Sequence, residues 1–456
     1  MQLASDSPGS EKLRKWLVAF LCLVFGLSII AAILMPAENQ IMGDGKQYFA
    51  QTRSLVFDHD MDIKNDLIDS GVEPTLKPNG MAKISFACGA PLLWIPGFYL
   101  SDLAAKKFDP SAATGLSKWY TVPARIASSA VGVIAFFLAF LVLRSRVSER
   151  VAALSVATIA LAGNQLESII LDPANSHTMS MFATSLFLYV LLIGKFRNDH
   201  TRFAAIGLTI GLCFLARWQE VFFIVVPIAE LGANVIRKKL NVLSGIKLAS
   251  IMVTAMLIVS FPQLKIFDVV QGSYFKSPQG SDFLFFTDPK MLQVLFSPYH
   301  GLFLWHPIFF VSLLGLPILF RKDRLFCCSL IIVFLMQLYL NSVVLDWSGT
   351  AGFGHRRFFG QFPVFVLLLG FVIEKMTARN LWVLASILFV LNVFSWLQLR
   401  LRYISTYKPP TVAEATYERF LVPVRAFQRV KAFGLRGIRM EEESDPNFSL
   451  YDVHRR

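Results

Sequence analysis

The chain has 456 residues, of which 55% are hydrophobic and only 16% are charged, a composition that excludes an ordinary soluble domain and predicts an integral membrane protein. The net charge of +13 does not indicate nucleic acid, because most basic residues form short clusters between apolar segments. The five cysteines show no C-x-x-C spacing, so the sequence indicates neither a disulfide framework nor a cysteine metal site.

About eleven apolar segments are long enough to cross roughly 30 Å of hydrocarbon as helices. They are residues 16–35, 121–143, 151–168, 178–194, 203–217, 221–236, 243–262, 303–320, 325–344, 359–373 and 381–398. Basic clusters then fall in alternate loops, which the positive-inside rule places in the cytoplasm. We predict an all-α polytopic membrane protein with a cytoplasmic N-terminal tail at 1–15, a transmembrane domain at 16–398 and a C-terminal tail at 399–456. The sidedness of that tail stays open, because its basic residues include Arg400, Arg402, Arg425, Arg429, Lys431, Arg436 and Arg439.

Four polar loops gather on the opposite, extracytoplasmic face: 36–118, 169–177, 263–302 and 345–358. The apolar stretch 86–105 in the first loop is interrupted by glycines and prolines, so we predict an interfacial or re-entrant segment there. Ionisable and aromatic side chains concentrate in these loops. The sequence therefore predicts an active site that opens away from the cytoplasm.

In the first loop, Asp44 stands between Gly43 and Gly45, where small neighbours let a carboxylate approach a substrate closely. Asp44 is the leading candidate for a catalytic base, and a plain turn is the alternative. The run Asp58-His-Asp-Met-Asp62 includes Asp60 and could bind a cation, but it lacks a calcium-loop pattern, which favours a solvated acidic turn.

The second candidate group lies at the ends of two helices. His177 could hydrogen-bond a substrate or transfer a proton, whereas Asn175 and Ser176 beside it could simply cap a helix. Arg217 and Glu220 lie three residues apart, on one face if the helix continues. Arg217 would suit a lipid-linked phosphate; a snorkelling arginine paired with Glu220 is the alternative.

The last two loops add aromatic and basic side chains. His300 with Tyr299 and Trp305 could form a sugar-stacking wall, although the aromatic belt at a membrane surface also explains Trp305. The glycine-rich loop at 346–358 ends in Phe-Gly-His355-Arg356-Arg and predicts an anion site, with membrane anchoring as the alternative for its last arginine.

Taken in order, these motifs resemble the GT-C superfamily of membrane glycosyltransferases, which includes protein O-mannosyltransferases and bacterial aminoarabinose transferases of lipid A. The resemblance covers about residues 15–400. It is carried by Asp44, the segment from Asn79-Gly-Met-Ala-Lys83 to Tyr99, the Leu-Ala-Arg-Trp run at Arg217, and the blocks around His300 and His355-Arg356. Better-known relatives have an Asp-Glu pair where this chain has Asp44-Gly45.

The resemblance implies an inverting transfer of a sugar from a polyprenyl phosphate to an acceptor at the outer face of a bacterial inner membrane, with Asp44 as the base. The candidate substrate-binding residues are Tyr48, Asp60, Lys83, His177, Arg217, Glu220, His300, His355 and Arg356. No cofactor is identified, and a divalent cation stays open, as does a lipid, glycan or protein acceptor. A transporter or flippase of a lipid-linked or anionic substrate is the alternative, and a non-catalytic scaffold is a third. Ionisable residues at the helix ends rather than at mid-membrane favour the enzyme.

Overall fold

The structure is a computed structural model, and it describes residues 8–36, 39–274, 279, 283–349, 352–405 and 408–433. The first part of the predicted N-terminal tail and the end of the C-terminal tail lie outside these residues. Within them the fold is built from helices, with two isolated β-bridges, Leu76–Ala82 and Leu284–Val344.

The helices follow one another along the chain. In the first half they are α1 Pro8–Leu34, α2 Gly45–Arg53, α3 Lys64–Asp69, α4 Gly89–Phe108, α5 Lys118–Arg144, α6 Glu149–Ala162, α7 Gln165–Ile170, α8 His177–Leu192, α9 Asp199–Ala216 and α10 Val225–Ile236. In the second half they are α11 Val242–Gln271, α12 Met291–Phe296, α13 Leu302–Trp305, α14 Pro307–Leu313, α15 Leu316–Lys322, α16 Arg324–Ser342, α17 Phe362–Ile373, α18 Ala378–Arg400, α19 Val412–Ala415 and α20 Val422–Phe433. A π-helix at Ser54–Asp58 and 3-10 helices at Pro110–Ala112, Trp218–Ile224, Arg356–Gln361 and Tyr417–Leu421 complete the set.

Seven helical segments among the described residues are long and apolar enough to cross a membrane. They coincide with predicted spans at α1, α5, the 3-10 turn with α10, α11, α16, the 3-10 turn with α17, and α18. The other four predicted spans overlap shorter helices, so the number eleven stays a prediction. An all-α polytopic architecture is confirmed.

One prediction about a single helix was wrong. Residues 303–320 were expected to form one span, but they form α13, α14 and α15, because a proline at residue 307 cannot continue a preceding helix and instead starts α14. Most of the stretch 86–105 lies in α4, which continues through Pro96. The interfacial or re-entrant position of this stretch stays a prediction.

The hydrophobic core surrounds α17, which is buried along nearly its whole length between α5, α6, α8 and α14. A helix that is apolar on every face belongs at the centre of a bundle. The 3-10 turn that precedes α17 packs against α8. The core thus fixes the positions of Arg356 and Arg357, which begin that turn.

The described part of the C-terminal tail lies beside the loop at 345–358. Leu399 and Ile404 pack with Trp305 and Phe353, and Arg400 pairs with Glu167 of α7. The tail therefore starts at the same end of the bundle as the polar loops.

Candidate active site

A cavity of about 650 Å³ opens where the four polar loops meet. The wall includes carboxylates, arginines and aromatic rings from all four loops and from the end of α9: Asp44, Tyr48, Phe86, His177, Arg217, Trp218, Tyr274, Phe283, Asp346, Arg356 and Arg357. The structure thus brings the four loops together, as predicted. The cavity combines an apolar portion with three guanidinium groups.

Asp44 immediately precedes α2, with an exposed side chain on the cavity wall. The two flanking positions favour glycine for different structural reasons. Gly43 adopts a φ of +50°, a left-handed conformation that other residues rarely take. At Gly45 a Cβ atom would lie 2.5 Å from the carbonyl oxygen of Ala174. A side chain at position 45 would therefore require the backbone of the second loop to move.

Tyr48 lies one turn further along α2 and is 4% exposed, at the back of the same wall. Burial raises the pKa of its phenol to about 12, and a hydrogen bond links it to Ser176. Its ring stacks on Phe86 with centroids 5.1 Å apart. Tyr48 is thus a neutral hydrogen-bonding group at neutral pH.

Arg217 is separated from Glu220 because α9 ends at Ala216. Arg217 is extended, with φ −155° and ψ 133°, and a 3-10 turn follows it. The expectation that the two side chains share a helical face was therefore wrong. Arg217 Nη1 donates a hydrogen bond to His177 Nδ1 at 3.0 Å, so His177 is the neutral acceptor.

Glu220 lies below the cavity and is fully buried. Its two carboxylate oxygens accept hydrogen bonds from Ser180 Oγ and Gln337 Nε2, both at 2.8 Å. Gln361 in turn donates to Gln337 at 2.9 Å. These bonds join α8, α16 and the turns before α10 and α17, so Glu220 holds the floor of the cavity rather than its wall.

The two arginines of the fourth loop each face a carboxylate. Arg356 Nη1 is 3.6 Å from Asp172 Oδ2, and Arg357 pairs with Asp346. Burial raises the pKa of Asp172, while the nearby Arg356 opposes that shift. Among the described ion pairs there is no carboxylate partner for Arg217. Of the three arginines on the cavity wall, Arg217 is thus the one whose described hydrogen-bond partner is neutral.

His300 and His355 are buried behind the fourth loop and do not reach the cavity wall. His355 Nε2 donates to the carbonyl of Trp347 at 2.9 Å, and His300 forms a hydrogen bond to the backbone of Ser348. Burial lowers the pKa of each imidazole to about 3. Tyr299 and Trp305 pack on His300, so the predicted sugar-stacking wall is instead a support for the loop.

A second cavity of about 260 Å³ shares Asp44, Ser85 and Phe86 with the first. Lys83 lines it and donates to the carbonyl of Gln279 at 2.9 Å, and burial lowers the pKa of this lysine. Asp44 therefore stands between two cavities.

Asp60 lies away from both cavities. Its carboxylate accepts hydrogen bonds from Ser54 Oγ at 2.8 Å and from the backbone N–H of Asp62 at 3.0 Å. Asp58 and Asp62 likewise accept bonds from Asn65 and Ala82. The acidic run is a hydrogen-bonded turn, and no group of three potential metal ligands occurs in the described part of the chain.

Sequence reasoning missed Asp172, Asp346 and Arg125 as parts of the site. Arg125 of α5 is 1% exposed and donates to the carbonyls of Gln40, at 2.7 Å, and Leu171, at 3.0 Å. It thereby fastens the first loop to the second. An arginine inside a long apolar span was the signal that could have revealed it, because such a residue needs buried partners.

The described residues thus form an all-helical bundle with an arginine-lined cavity and a carboxylate at its rim. No protein-family model and no curated protein sequence matches this chain. Among solved structures, ArnT from Cupriavidus metallidurans bound to undecaprenyl phosphate is similar, with a TM-score of 0.54 and 13% identity over 96% of this chain and 75% of ArnT. The apo state of ArnT gives a TM-score of 0.55 at 13% identity, over 97% of this chain and 75% of ArnT. ArnT is a GT-C glycosyltransferase, so the GT-C-like fold predicted from the motifs is confirmed.

Proposed function

We propose that this chain is an inverting glycosyltransferase that takes a sugar from a polyprenyl-phosphate donor and transfers it to a hydroxyl acceptor. The observation that carries the proposal is the position of Asp44 and Arg217 on the wall of one cavity. The ArnT structure with the same fold contains undecaprenyl phosphate, which supports a donor of this chemical class.

Charge in the cavity favours a phosphate near Arg217. Asp346 and Asp172 face Arg357 and Arg356, whereas the described partner of Arg217 is the neutral His177. A guanidinium can donate two parallel hydrogen bonds to phosphate oxygens. The apolar residues Phe214, Phe267 and Leu340 on the same wall suit the first isoprene units of the lipid.

The chemistry is a single displacement. The acceptor hydroxyl gives its proton to Asp44 while its oxygen attacks the anomeric carbon of the sugar. The bond between that carbon and the phosphate oxygen breaks, and the electron pair leaves with the lipid phosphate. Arg217 and Arg356 stabilise the negative charge that develops there. Because Asp44 is shared by both cavities, the donor and the acceptor can reach it together.

We assign the enzyme to the bacterial inner membrane with its cavity on the periplasmic side. The basic clusters in alternate loops support this orientation through the positive-inside rule. The outer leaflet would then present the lipid-linked sugar to the cavity.

The deciding experiment is a transfer assay with the purified protein in nanodiscs, a panel of polyprenyl-phosphate sugars, cell-extract acceptors, and mass spectrometry of the donor. The Asp44→Asn variant should bind donor normally and consume none. Asp58→Asn is the matched control, because Asp58 lies in the same loop but lines neither cavity. Donor binding without consumption by the unaltered protein would support a transporter instead, and equal turnover by the Asp44→Asn variant would remove Asp44 as the base.

A further inference from the structure

The segment after α18 folds back against the end of that helix instead of leaving the bundle. Thr411 and Glu414 form a reciprocal capping box at the start of α19, and the 3-10 turn and α20 follow. Gln398 Nε2 donates to the carbonyl of Glu414 at 2.8 Å. The described segment 411–433 is therefore a folded element with a defined place.

That place lies beside the last turns of a membrane-spanning helix. Arg419 is 5% exposed and donates to Ser395 Oγ at 2.9 Å, and the rings of Phe394 and Phe420 are 5.8 Å apart. Ser395 precedes Arg400, the last residue of α18, by five positions, which is roughly 7 Å at 1.5 Å per helical residue. A span that ends at the membrane surface puts this turn at the depth where headgroups meet acyl chains.

The segment exposes an apolar face at this depth. Its exposed side chains include Tyr417, Phe420, Leu421, Val424 and Phe427, and Phe427 is 71% exposed. They recur at intervals of three or four residues, which places them on one side of a helix. In a protein surrounded by water such a row would be costly, whereas beside a lipid-facing helix it continues the apolar surface.

The arginines of α20 lie on its opposite side, because Arg425 and Arg429 are each two residues from Phe427, about 200° around the helix. Arg425 pairs with Glu418 at 2.7 Å, and Arg429 lies 3.9 Å from the ring centroid of Tyr403. Lys431 is exposed one turn beyond Phe427, near the end of the described helix, from where a long side chain can reach the lipid phosphates. A short helix with aromatic residues on one face and arginines on another is the form that lies flat in a membrane interface.

We propose that residues 411–433 form an interfacial anchor in the leaflet on the cavity side, with Phe420 and Phe427 among the acyl chains and Lys431 toward the lipid phosphates. Lipid is the occupant that fits, because α18 itself exposes Trp382, Val383 and Ile387 along its length and is therefore bordered by lipid. The anchor holds the end of α18, where Arg400 pairs with Glu167 near the second loop.

Spin labels at two exposed positions test the proposal. Phe427→Cys and Lys64→Cys are introduced separately into the full chain in nanodiscs after Cys22 and Cys328 are changed to Ser, since the other three cysteines are buried. Lys64 is an exposed charged residue of α3 in the first loop and serves as the reference for a side chain in water. Collision rates are measured with oxygen, which concentrates in acyl chains, and with a water-soluble nickel chelate.

We expect oxygen to dominate at position 427 and the nickel chelate to dominate at position 64. Nickel access at position 427 equal to that at position 64 would place the helix in water and overturn the proposal. A label at position 427 that is immobile and shielded from both reagents would show a protein partner on this face, which would overturn it as well. Unchanged elution of both variants confirms that they are folded.

Discussion

The carbonyl oxygen of Ala174 faces Gly45 so closely that a Cβ atom there would lie 2.5 Å from it. This contact brings the loop that carries Asp44 against the loop that carries Asp172 and His177. It also accounts for the glycine at this position, since the backbone of the second loop occupies the space that a side chain would need.

The first prediction concerns this contact. Gly45→Ala should destabilise the protein by about 1–3 kcal/mol and reduce sugar transfer, because the two loops must separate. Thermal unfolding in nanodiscs and the transfer assay measure the two effects. Gly26→Ala in α1 is the control, because a Cβ atom there has no neighbour within 4 Å, and it should be neutral. A fully active and stable Gly45→Ala variant would contradict the close approach.

The second prediction concerns the pair formed by Arg217 and His177. Arg217→Lys keeps the charge but loses the planar guanidinium, so donor binding should weaken about tenfold, which is about 1.4 kcal/mol. His177→Ala should weaken it less, because Arg217 keeps its charge and loses only its orientation. Titration of polyprenyl phosphate into the two single variants and the double variant measures their coupling, expected at about 0.5–3 kcal/mol. Strict additivity would show that the hydrogen bond has no role in donor binding.

The third prediction concerns the pH dependence of stability. Burial raises the pKa of Asp66 to about 6, although Arg53 donates to it at 2.6 Å. An acid with a raised pKa in the folded state favours folding most when it is protonated, so its contribution is complete below pH 4 and is lost as the pH rises through about 6. The loss should reach about 3 kcal/mol, from about 1.4 kcal/mol per pKa unit.

Asp66→Asn should remove this part of the pH dependence, since an amide still accepts the bond from Arg53 but does not titrate. Chemical denaturation at pH 4, 5, 6 and 7 measures the difference between the two proteins. Asp69→Asn is the control, because its carboxylate is nearly half exposed and also contacts Arg53. Parallel pH profiles for the unaltered chain and Asp66→Asn would contradict the prediction.

The fourth prediction concerns the buried carboxylate below the cavity. Glu220→Ala leaves Ser180 and Gln337 without an acceptor, which should cost about 2–4 kcal/mol of stability. Glu220→Gln should cost less, because the amide oxygen still accepts one of the two bonds. Since Glu220 does not reach the cavity wall, donor affinity in the folded fraction of Glu220→Gln should be unchanged. A large loss of donor affinity in that variant would mean that Glu220 contacts the substrate after all.

The helices and the convergence of the loops could be predicted from the sequence, because both follow from the length of the apolar segments and the alternation of basic clusters. Which residues lie on the cavity wall and which lie behind it could not be predicted. Arg217 and Glu220 look like a helical pair, but the chain becomes extended at Arg217. The segment after this break packs against α16, and Gln219 donates to the carbonyl of Arg357. His300 and His355 look like ligand-binding residues because the sequence does not distinguish a buried imidazole from an exposed one.

Those two histidines have a consequence for the energetics of the site. They hold the backbone of Trp347 and Ser348 while they stay uncharged, so this backbone is supported without another positive charge behind the arginines. The entropy lost in fixing Arg356 and Arg357 is then lost when the protein folds and not when a substrate arrives. A preorganised site of this kind lets a lipid phosphate meet cations that already have their final orientation.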